Sequence, residues 1–489
     1  MALTVLFAAS EAYPLIKTGG LADVAYGLPR ALHTEGADVR LLLPGYYDML
    51  GKLKDLHSLG SLHIQGAGRV HQVYILEGYH EAFPFPIWVV ECGPLFGRSG
   101  NPYMHPDGYD WPDNAERFTV FSRAAALLAA DALQLNWRPE VVHAHDWQTG
   151  LIPALLEEVH PRPRSVFTIH NLAYGGHFSH DVYDELQLAW HWWSSDGVEF
   201  YGGFSMLKAG IVYADAVTTV SPTYAKEICT PEFGYGLDGL LRAHSHKLYG
   251  ILNGIDTEIW NPKKDEYLVE NYGVRDVRKG KLANKKALLE RFGQSPTEEQ
   301  LAQPLLGMVS RLVEQKGVDM VMECIHPILA ETNACFVLIG SGHYHYEKAL
   351  YAMAARYPGR VMVYIGYNEA LAHLLEAGCD LFLMPSRFEP CGLNQMYSLN
   401  YGTLPVVYNT GGLADTVINT TPENIAADTA NGFVFYQPFS HALLGTLWWV
   451  LRTFADDPKL WRALQRNALK ADFGWKKSAQ RYLELYRNN

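Results

Sequence analysis

Thr18-Gly19-Gly20-Leu21-Ala22-Asp23 occurs a second time in this chain, letter for letter, as Thr410-Gly411-Gly412-Leu413-Ala414-Asp415. Each copy follows a short apolar run typical of a buried strand, residues 3–9 or 404–407, and precedes a helix-like run. A strand, a Gly-Gly turn and a helix start form a common phosphate site, because glycine lets the backbone come close and the helix dipole attracts anions. The alternative is a pair of unrelated tight turns. If both turns face phosphate, they predict two similar α/β domains that share a cleft.

The composition is that of a globular protein with more than one domain. The chain has 489 residues, of which 48% are hydrophobic and 19% charged, so large apolar cores are possible. A net charge of −12 without any lysine- or arginine-rich tract argues against nucleic acid or an anionic membrane as a partner. The apolar runs are shorter than the roughly 20 residues that span a bilayer. The N-terminus also lacks the basic start of a secretion signal.

Cysteine usage and absent motifs narrow the possible chemistry. The six cysteines form no C-x-x-C pair, which indicates a reducing compartment and hence the cytoplasm. There is no G-x-x-x-x-G-K-[ST] loop, no G-x-S-x-G elbow and no G-x-G-x-x-G after the first strand, so ATPase, serine hydrolase and dehydrogenase functions are disfavoured. The chain also lacks an Asp-x-Asp pair that would hold a divalent metal on a diphosphate. We therefore expect chemistry without a metal or a cofactor.

Strand-like and helix-like runs alternate along the chain, which predicts α/β domains whose parallel sheets carry helices on both faces. In the first half, strands are expected at 3–9, 38–43, 87–92, 141–144, 165–169, 216–220 and 249–252, and helices at 21–34, 114–133, 148–159 and 222–228. Beyond a linker at 261–265, helices are expected at 279–292, 318–330, 346–356, 369–376, 442–454, 458–471 and 479–487, and strands at 305–309, 334–339, 360–364, 380–384 and 404–407. Two long loops, 94–112 and 177–204, are rich in residues suited to binding. The fold class is thus α/β, with two doubly wound, Rossmann-like domains.

Ligands of doubly wound sheets bind beyond the carboxyl ends of the strands, and a loop with two cations follows the strand at 305–309. Arg311 and Lys316 lie in this loop, and their guanidinium and ammonium groups suit phosphate. The alternative is a solvated turn with surface charges. Together with Lys17, which precedes the first hexapeptide copy, they could stabilise the charge of a departing diphosphate.

Glu389 follows another strand and lies between Phe388 and Pro390. A carboxylate held stiffly in this way could bind sugar hydroxyls or a developing positive charge. Alternatively, it only complements the dipole of the next helix.

Two further strand ends carry histidines. His143 and His145 share one face of a strand and could form half of a metal site, although no further ligand motif accompanies them. Asp146 and Trp147 follow directly, and a carboxylate beside an aromatic platform suits carbohydrate. His170 directly follows the strand at 165–169. It is either a site residue or a structural residue whose hydrogen bonds are satisfied within the protein.

Seven motifs occur along the chain in a fixed order, and taken together they make the whole chain resemble the bacterial glycogen synthases of the starch-synthase family. They are Lys17-Thr-Gly-Gly-Leu, His145-Asp-Trp, His170-Asn-Leu-Ala-Tyr, Asn253-Gly-Ile-Asp, Ser310-Arg-Leu with Lys316-Gly, Glu389-Pro-Cys-Gly-Leu and Thr410-Gly-Gly-Leu. The resemblance implies a GT-B fold and the retaining, metal-independent transfer of glucose from ADP-glucose to the non-reducing end of an α-1,4-glucan such as glycogen. It also implies an acceptor-side domain at 1–258, a donor domain at 259–470, and a terminal helix, 471–489, that packs back on the first domain.

The resemblance carries site residues with it. The implied catalytic residues are Lys17, His170, Arg311, Lys316 and Glu389. The implied substrate-binding residues are Gly19, Gly20, Asp23, Tyr103, Asp146, Trp147, Asn171, Asn253, Tyr367, Cys391, Gly392, Leu393, Thr410, Gly411 and Gly412. In this scheme the cations and the Gly-Gly amides hold the diphosphate. Glu389 binds the transferred glucose, the main-chain carbonyl of His170 lies near the anomeric carbon, and Tyr367 stacks on adenine.

Two departures from the family pattern bear on mechanism. Tyr397 stands at the second position of the related E-x7-E pattern, which leaves a two-carboxylate mechanism without its partner, and Gly175 stands where the family often has Gln. Two other functions remain open from the residues. One is a glucosidase or phosphorylase that uses Glu389 with Asp146, and the other is a glucan-binding protein without turnover. The residues themselves do not separate ADP-glucose from UDP-glucose.

Overall fold

The computed structural model describes residues 2–488. The chain forms two compact units, one made of the residues up to Gly254 together with those from Trp475 onward, and the other of Ile255–Gly474. Each unit is built on its own sheet with helices on both faces, as predicted. No helix in the described residues is long and apolar enough to cross a bilayer.

The first unit is organised on a nine-stranded sheet in the order β12-β11-β7-β6-β1-β2-β5-β4-β3, beside a small sheet in the order β8-β10-β9. The residues of β1 that pair with β2 and β6 are fully buried from Val5 to Ala8, because helices cover both faces. The strands are β1 (Thr4–Ala8), β2 (Asp38–Pro44), β3 (Lys54–Gln65), β4 (Val70–Tyr79), β5 (Ile87–Glu91), β6 (Val141–His145), β7 (Arg164–Ile169), β8 (His177–Ser179), β9 (Glu199–Phe200), β10 (Gly203–Ser205), β11 (Ala216–Thr219) and β12 (Leu248–Gly250).

The helices of this unit connect parallel strands and cover the sheet. They are α1 (Gly20–Thr34), α2 (Tyr47–Leu50), α3 (Gly93–Phe96), α4 (Asn114–Ala129), α5 (Ile152–Leu155), α6 (His180–Glu185), α7 (Met206–Tyr213), α8 (Pro222–Glu227) and α9 (Asp238–Ala243). The chain moves outward from β1 to β2 and then returns to β6 on the other side of β1. This reversal places a crevice beyond the carboxyl ends of β1 and β6, where doubly wound sheets bind ligands.

The second unit is a six-stranded parallel sheet in the order β15-β14-β13-β16-β17-β18. Its strands are β13 (Leu305–Val309), β14 (Cys335–Gly340), β15 (Val361–Ile365), β16 (Leu381–Met384), β17 (Leu404–Tyr408) and β18 (Phe433–Phe435). Its helices are α10 (Val277–Arg291), α11 (Glu298–Ala302), α12 (Val318–Glu331), α13 (Tyr344–Arg356), α14 (Glu369–Gly378), α15 (Asn394–Asn400), α16 (Gly411–Thr416), α17 (Pro422–Ala426), α18 (Ser440–Asp456) and α19 (Pro458–Lys470). The chain order reverses between β13 and β16, so these two strands flank the crevice of this unit.

The last helix, α20 (Trp475–Arg487), belongs to the first unit and packs on α1. The contact is close, because a Cβ at Gly27 would lie 2.0 Å from Trp475 Nε1. Only glycine at position 27 lets the indole lie against α1. Tyr486 of the same helix reaches the sheet, where its hydroxyl lies 2.7 Å from His143 Nδ1.

Sequence reasoning missed one pair of strands, and two of its predictions about local structure were wrong. The long antiparallel pair β3 and β4 was not predicted, although Leu62, Ile64, Val73 and Ile75 alternate with polar residues and are buried. The expected helix at 148–159 breaks into a short α-helix, α5, between two 3₁₀ turns. The expected loop at 177–204 instead contains α6, β8 and β9 and leads into β10, with Tyr183, Trp192 and other aromatic residues forming its core.

The linker predicted at 261–265 is anchored rather than loose. Asp265 is buried in the second unit and its Oδ2 lies 2.7 Å from His373 Nδ1. Trp260, just before it, stacks between the rings of His373 and Tyr397, with centroid distances of 3.8 and 3.9 Å. Tyr397 therefore has a packing role at the position where a second carboxylate would stand.

Candidate active site

The first hexapeptide copy is held by a buried carboxylate, Glu11, which follows β1. Glu11 is 2% exposed and accepts hydrogen bonds from the Thr18 N–H at 2.5 Å and the Thr18 hydroxyl at 2.7 Å. The Gly19 N–H also donates to it. Burial raises the pKa of Glu11 to about 7, although the hydrogen bonds from Thr18 and Gly19 partly oppose the rise. The turn before α1 thus rests on a group that titrates near neutrality.

The Gly-Gly turn of this copy is exposed and uncrowded. A Cβ at Gly19 would come no nearer than 3.8 Å to Glu11 Oε1, and one at Gly20 would meet nothing within 4 Å. No side chain among the described residues caps the N-terminus of α1, a helix of 15 residues. The exposed Lys17 Nζ lies 2.6 Å from Asp23 Oδ1. Space, a helix N-terminus and a cation therefore meet at this turn, as an anion site requires.

Asp146 follows β6 in a conformation that residues with a side chain rarely adopt, with φ 58° and ψ −178°. Its Oδ1 accepts the His170 N–H at 2.7 Å, and the Asn171 N–H donates to the same carboxylate. Burial raises the pKa of Asp146 to about 7, whereas these two hydrogen bonds lower it. Asp146 thereby fixes the backbone of the turn after β7, including the carbonyl of His170.

The two histidines of β6 form hydrogen bonds with residues of the neighbouring strand β7 and its end. His143 Nε2 lies 2.6 Å from the Thr168 hydroxyl, and His145 Nδ1 lies 3.0 Å from His170 Nε2. Their rings pack with centroids 4.0 Å apart. Among residues 2–488, no third His, Cys, Asp or Glu joins them in a group that could hold a metal. Both side chains thus contribute to the support of the neighbouring strand β7 and its end.

Tyr103 and Trp147, expected on the acceptor side, are both half-buried beside the β1–β6 crevice. The Tyr103 hydroxyl lies 2.7 Å from Ser10 Oγ, and the Trp147 ring packs edge-on against Phe118, with centroids 5.0 Å apart. The loop that carries Tyr103 is anchored by the buried Arg117, which donates to the carbonyls of Leu95 and Pro102 at 2.8 Å each. These residues therefore present a rigid aromatic wall.

In the second unit, a pocket of about 210 Å³ opens at the reversal between β13 and β16. Arg311 and Lys316 from the loop after β13 line it, together with Ser386 from the loop after β16. Arg311 is exposed. The two loops are tied together by the Gln315 amide, which donates to the Phe388 carbonyl at 2.8 Å. The structure thus brings together the two cations that the sequence predicted.

Glu389 lies at the same place and is already paired. Lys316 Nζ is 2.5 Å from Glu389 Oε2, and the Ser386 hydroxyl donates to the same oxygen at 2.9 Å. Glu389 is 7% exposed. Lys316 is therefore held by Glu389, so Arg311 is the more accessible cation of the pair.

The second hexapeptide copy packs directly against the Glu389 loop. A Cβ at Gly411, where φ is +43°, would lie 1.9 Å from the Glu389 carbonyl oxygen, and one at Gly412 would lie 1.9 Å from that of Cys391. The Gly412 N–H donates to the carbonyls of Glu389 at 3.1 Å and Pro390 at 3.2 Å. These bonds occupy an amide that was expected to face the diphosphate. Gly412 instead holds the loop that carries Glu389.

The other expected site residues also lie at strand ends or helix starts. Tyr367 is 75% exposed in the loop after β15, whereas Asn253, beyond β12, is 7% exposed. Cys391 is buried, Gly392 has φ +69°, and Leu393 is the N-cap residue of α15. Thr410 is buried as the N-cap of α16, and Asn171 lies next to His170.

Sequence reasoning missed Glu11 and Ser386, which orient Thr18 and Glu389 respectively. Glu11 gave a usable signal, because it is a charged residue only two positions after the apolar strand at 3–9. Ser386 gave none, since a serine after a strand is ordinary. Its role depends on the position of Glu389 three residues later.

Comparison with known proteins identifies the family of this chain. The family described as starch synthase catalytic domain matches residues 4–243, and the family described as glycosyl transferases group 1 matches residues 293–470. A glycogen synthase of Hydrogenovibrio crunogenus is 50% identical over 489 residues, covering 99% of both chains. A glycogen synthase of Cellvibrio japonicus is 49% identical over 488 residues, again covering 99% of both chains.

A solved structure is similar over its whole length as well. The catalytic domain of starch synthase IV from Arabidopsis thaliana, bound to ADP and acarbose, has a TM-score of 0.89 at 34% identity, with 99% of each chain covered. This likeness confirms the predicted fold class of two doubly wound domains of the GT-B type.

Proposed function

Because this chain belongs to the starch synthase family of glycosyltransferases, we propose that it is a glycogen synthase. It transfers glucose from ADP-glucose to the non-reducing end of an α-1,4-glucan with retention of configuration. The observation that carries the proposal is the pocket of the second unit, where Arg311, Lys316 and Glu389 converge at the sheet's reversal point. Cations suit the diphosphate of a nucleotide sugar, and a buried carboxylate suits sugar hydroxyls.

Lys17, Arg311 and Lys316 stabilise the negative charge that develops on the departing ADP. Lys17 acts with the open Gly19–Gly20 turn at the start of α1. Lys316 is ion-paired with Glu389, so it reaches the phosphate by sharing its three N–H donors between the two anions. The charge is balanced by protein cations, and we therefore expect no metal requirement.

Glu389, oriented by Ser386, binds hydroxyls of the transferred glucose together with the backbone of Cys391, Gly392 and Leu393. Asp146 holds the N–H groups of His170 and Asn171, which aims the His170 carbonyl at the anomeric carbon. A dipole in that place stabilises developing positive charge without forming a covalent bond. Tyr397 stacks on Trp260, so the second position of the E-x7-E pattern supplies no carboxylate.

The remaining roles follow the geometry of the residues. The exposed ring of Tyr367 stacks on adenine, and Asp23 and Asn253 contact the ribose or the sugar. Tyr103 and Trp147 form the wall that meets the glucan. Thr410, Gly411 and Gly412 act indirectly, by holding the Glu389 loop. We place the reaction in the cytoplasm, since no disulfide links any of the six cysteines among the described residues.

The test measures ADP release from ADP-glucose in the presence of glycogen, with and without EDTA. Glu389→Gln should lose at least about 100-fold in kcat, because it weakens a contact of the transition state. The matched control is Glu314→Gln, an exposed glutamate in the neighbouring loop, which should keep its activity. Wild-type protein that releases no ADP but binds glycogen would indicate a glucan-binding protein, and glycogen breakdown without nucleotide would indicate a glucosidase or phosphorylase. The same assay with UDP-glucose decides the choice of nucleotide.

A further inference from the structure

We infer that His145 is a positioning residue that fixes the tautomer of His170, so that His170 presents its Nδ1–H to the bound sugar as a hydrogen-bond donor. The inference rests on the proposed function for the identity of the ligand. It rests on the hydrogen bond between the two imidazoles for the position of the proton.

The bond joins His145 Nδ1 and His170 Nε2 at 3.0 Å. His145 is fully buried on β6, with its ring packed between Phe7 and His143 at centroid distances of 4.2 and 4.0 Å. His170 is half-buried at the end of β7 and its backbone N–H is already held by Asp146. The two rings therefore meet in one geometry, fixed by the neighbouring strands.

Both rings are neutral. Burial lowers the pKa of His170 to about 3 and lowers that of His145 well below its ordinary value, with further lowering by neighbouring histidines in the case of His145. A neutral imidazole carries one N–H and one bare nitrogen. In a hydrogen bond between two neutral rings, one nitrogen must therefore carry the proton and the other must accept it.

The other nitrogen of His145 decides which ring donates. His145 Nε2 is buried and has no hydrogen-bond partner among residues 2–488. A proton on Nε2 would bury an unpaired donor and at the same time leave Nδ1 to accept from His170. We assign the proton to Nδ1, because that nitrogen has an acceptor at hand. His145 then donates to His170 Nε2.

This assignment determines the chemistry of His170. Its Nε2 accepts from His145, so its own proton must lie on Nδ1. No described residue hydrogen-bonds to His170 Nδ1, which leaves that N–H for a ligand. His170 is thus a fixed donor, suited to a sugar hydroxyl oxygen, and it is unsuited to act as a general base at that position.

The proton position can be measured without any turnover. The chain has 20 histidines, so protein labelled with ¹⁵N in the imidazole rings is compared with the same protein carrying His170→Gln to identify the His170 signals. The wild type should show His170 protonated at Nδ1 and bare at Nε2. Protonation at Nε2 in the wild type would overturn the inference, whether or not the enzyme releases ADP.

Two variants test the part played by His145. His145→Phe keeps the ring packing but removes the donor, so His170 should become a mixture of tautomers and kcat should fall about tenfold, the equivalent of about 1.4 kcal/mol. His145→Asn places an amide N–H near the position of Nδ1 and should restore both the Nδ1–H signal and most of kcat. His441→Phe, an exposed histidine in the second unit, is the matched control and should change neither.

A His145→Phe protein that unfolds at the wild-type temperature but keeps a pure Nδ1–H signal would show that His145 does not set the tautomer. Equal losses of kcat in His145→Asn and His145→Phe would show that the ring, and not the hydrogen bond, matters. Wild-type protein with the expected signal but no ADP release would leave the proton assignment standing and overturn only the proposed function.

Discussion

The two copies of the hexapeptide have the same sequence, but they differ in burial and in the packing around their glycines. At Gly19 and Gly20 an added Cβ would meet nothing closer than 3.8 Å, whereas at Gly411 and Gly412 it would lie 1.9 Å from a backbone carbonyl. The first copy is exposed at the start of a helix of 15 residues, and the second is buried at the start of a helix of six. In the first copy glycine leaves open space. In the second it leaves space for another part of the chain.

The difference teaches that a turn motif specifies a local shape and leaves its use open. Both copies follow a parallel strand and begin a helix, as the sequence predicts. The first rests on the buried Glu11 and carries Lys17, and the second rests against the loop of Glu389. One copy is therefore suited to bind phosphate directly, and the other to position Glu389, which we propose binds sugar.

The largest expected effect is the loss of activity when Lys17, the cation that only the first copy carries, is removed. Lys17→Ala should lower kcat/KM for ADP-glucose by about 10²- to 10³-fold, because it removes a cation from the departing diphosphate. The melting temperature should hardly change, since exposed ion pairs such as Lys17–Asp23 stabilise proteins by less than about 1 kcal/mol. Asn409 occupies the corresponding place before the second copy and is exposed. Asn409→Ala should leave turnover within about twofold, and a comparable loss there would mean that the copies have equal roles.

The second prediction concerns stability, which should depend on the glycines of the second copy and not on those of the first. Gly412→Ala should destabilise the second unit by more than about 3 kcal/mol, because the methyl group would overlap a backbone carbonyl that cannot move alone. Gly20→Ala has open space and should leave the urea midpoint of unfolding unchanged while raising KM for ADP-glucose. If Gly412→Ala unfolds at the wild-type urea concentration, the packing described for the second copy is wrong.

The smallest expected effect concerns pH. Because the pKa of Glu11 is raised to about 7 in the folded protein from an ordinary 4.5, the folded state binds more protons than the unfolded state between these values. The contribution of Glu11 to stability should therefore fall as pH rises from about 4.5 to 7, by about 2 to 3 kcal/mol, since one pKa unit corresponds to about 1.4 kcal/mol. Glu11→Gln should remove this contribution from the curve of urea midpoint against pH, so the variant should gain stability relative to the wild type as pH rises through this range. Glu81→Gln, an exposed residue of the same unit, should leave the curve as steep as in the wild type.

Much of the fold could be predicted because the parallel strands are continuous apolar runs between helix-like segments. Strands such as β1, β13 and β17 lie where their apolar runs predicted them. The hairpin of β3 and β4 was missed because its alternation of apolar and polar residues is carried by a few buried positions on one face. The helix expected at 148–159 broke where a Cβ at Gly150 would lie 2.0 Å from the Met206 carbonyl oxygen, a contact with a distant segment.

The sequence predicted that the candidate site lies at the carboxyl ends of strands, and it identified several of the residues there. Arg311, Lys316 and Glu389 could be named because charged side chains after apolar strands point to a binding edge. The ion pair between Lys316 and Glu389 joins residues 73 positions apart in the chain, and no local pattern indicates it. The hydrogen bond between His145 and His170 spans 25 positions and is equally invisible in the sequence.

The sequence by itself determined the alternation of strands and helices, the two doubly wound domains and the two Gly-Gly turns, because these depend on neighbouring residues and on hydrophobic periodicity. Only the tertiary structure decided what each turn does. It placed the Glu389 carbonyl under Gly411 and left open space beside Gly20. The physical reason is that the backbone conformation of a turn is set mainly by its own residues and their neighbours in the chain. The space around the turn is set by other segments that the fold brings against it.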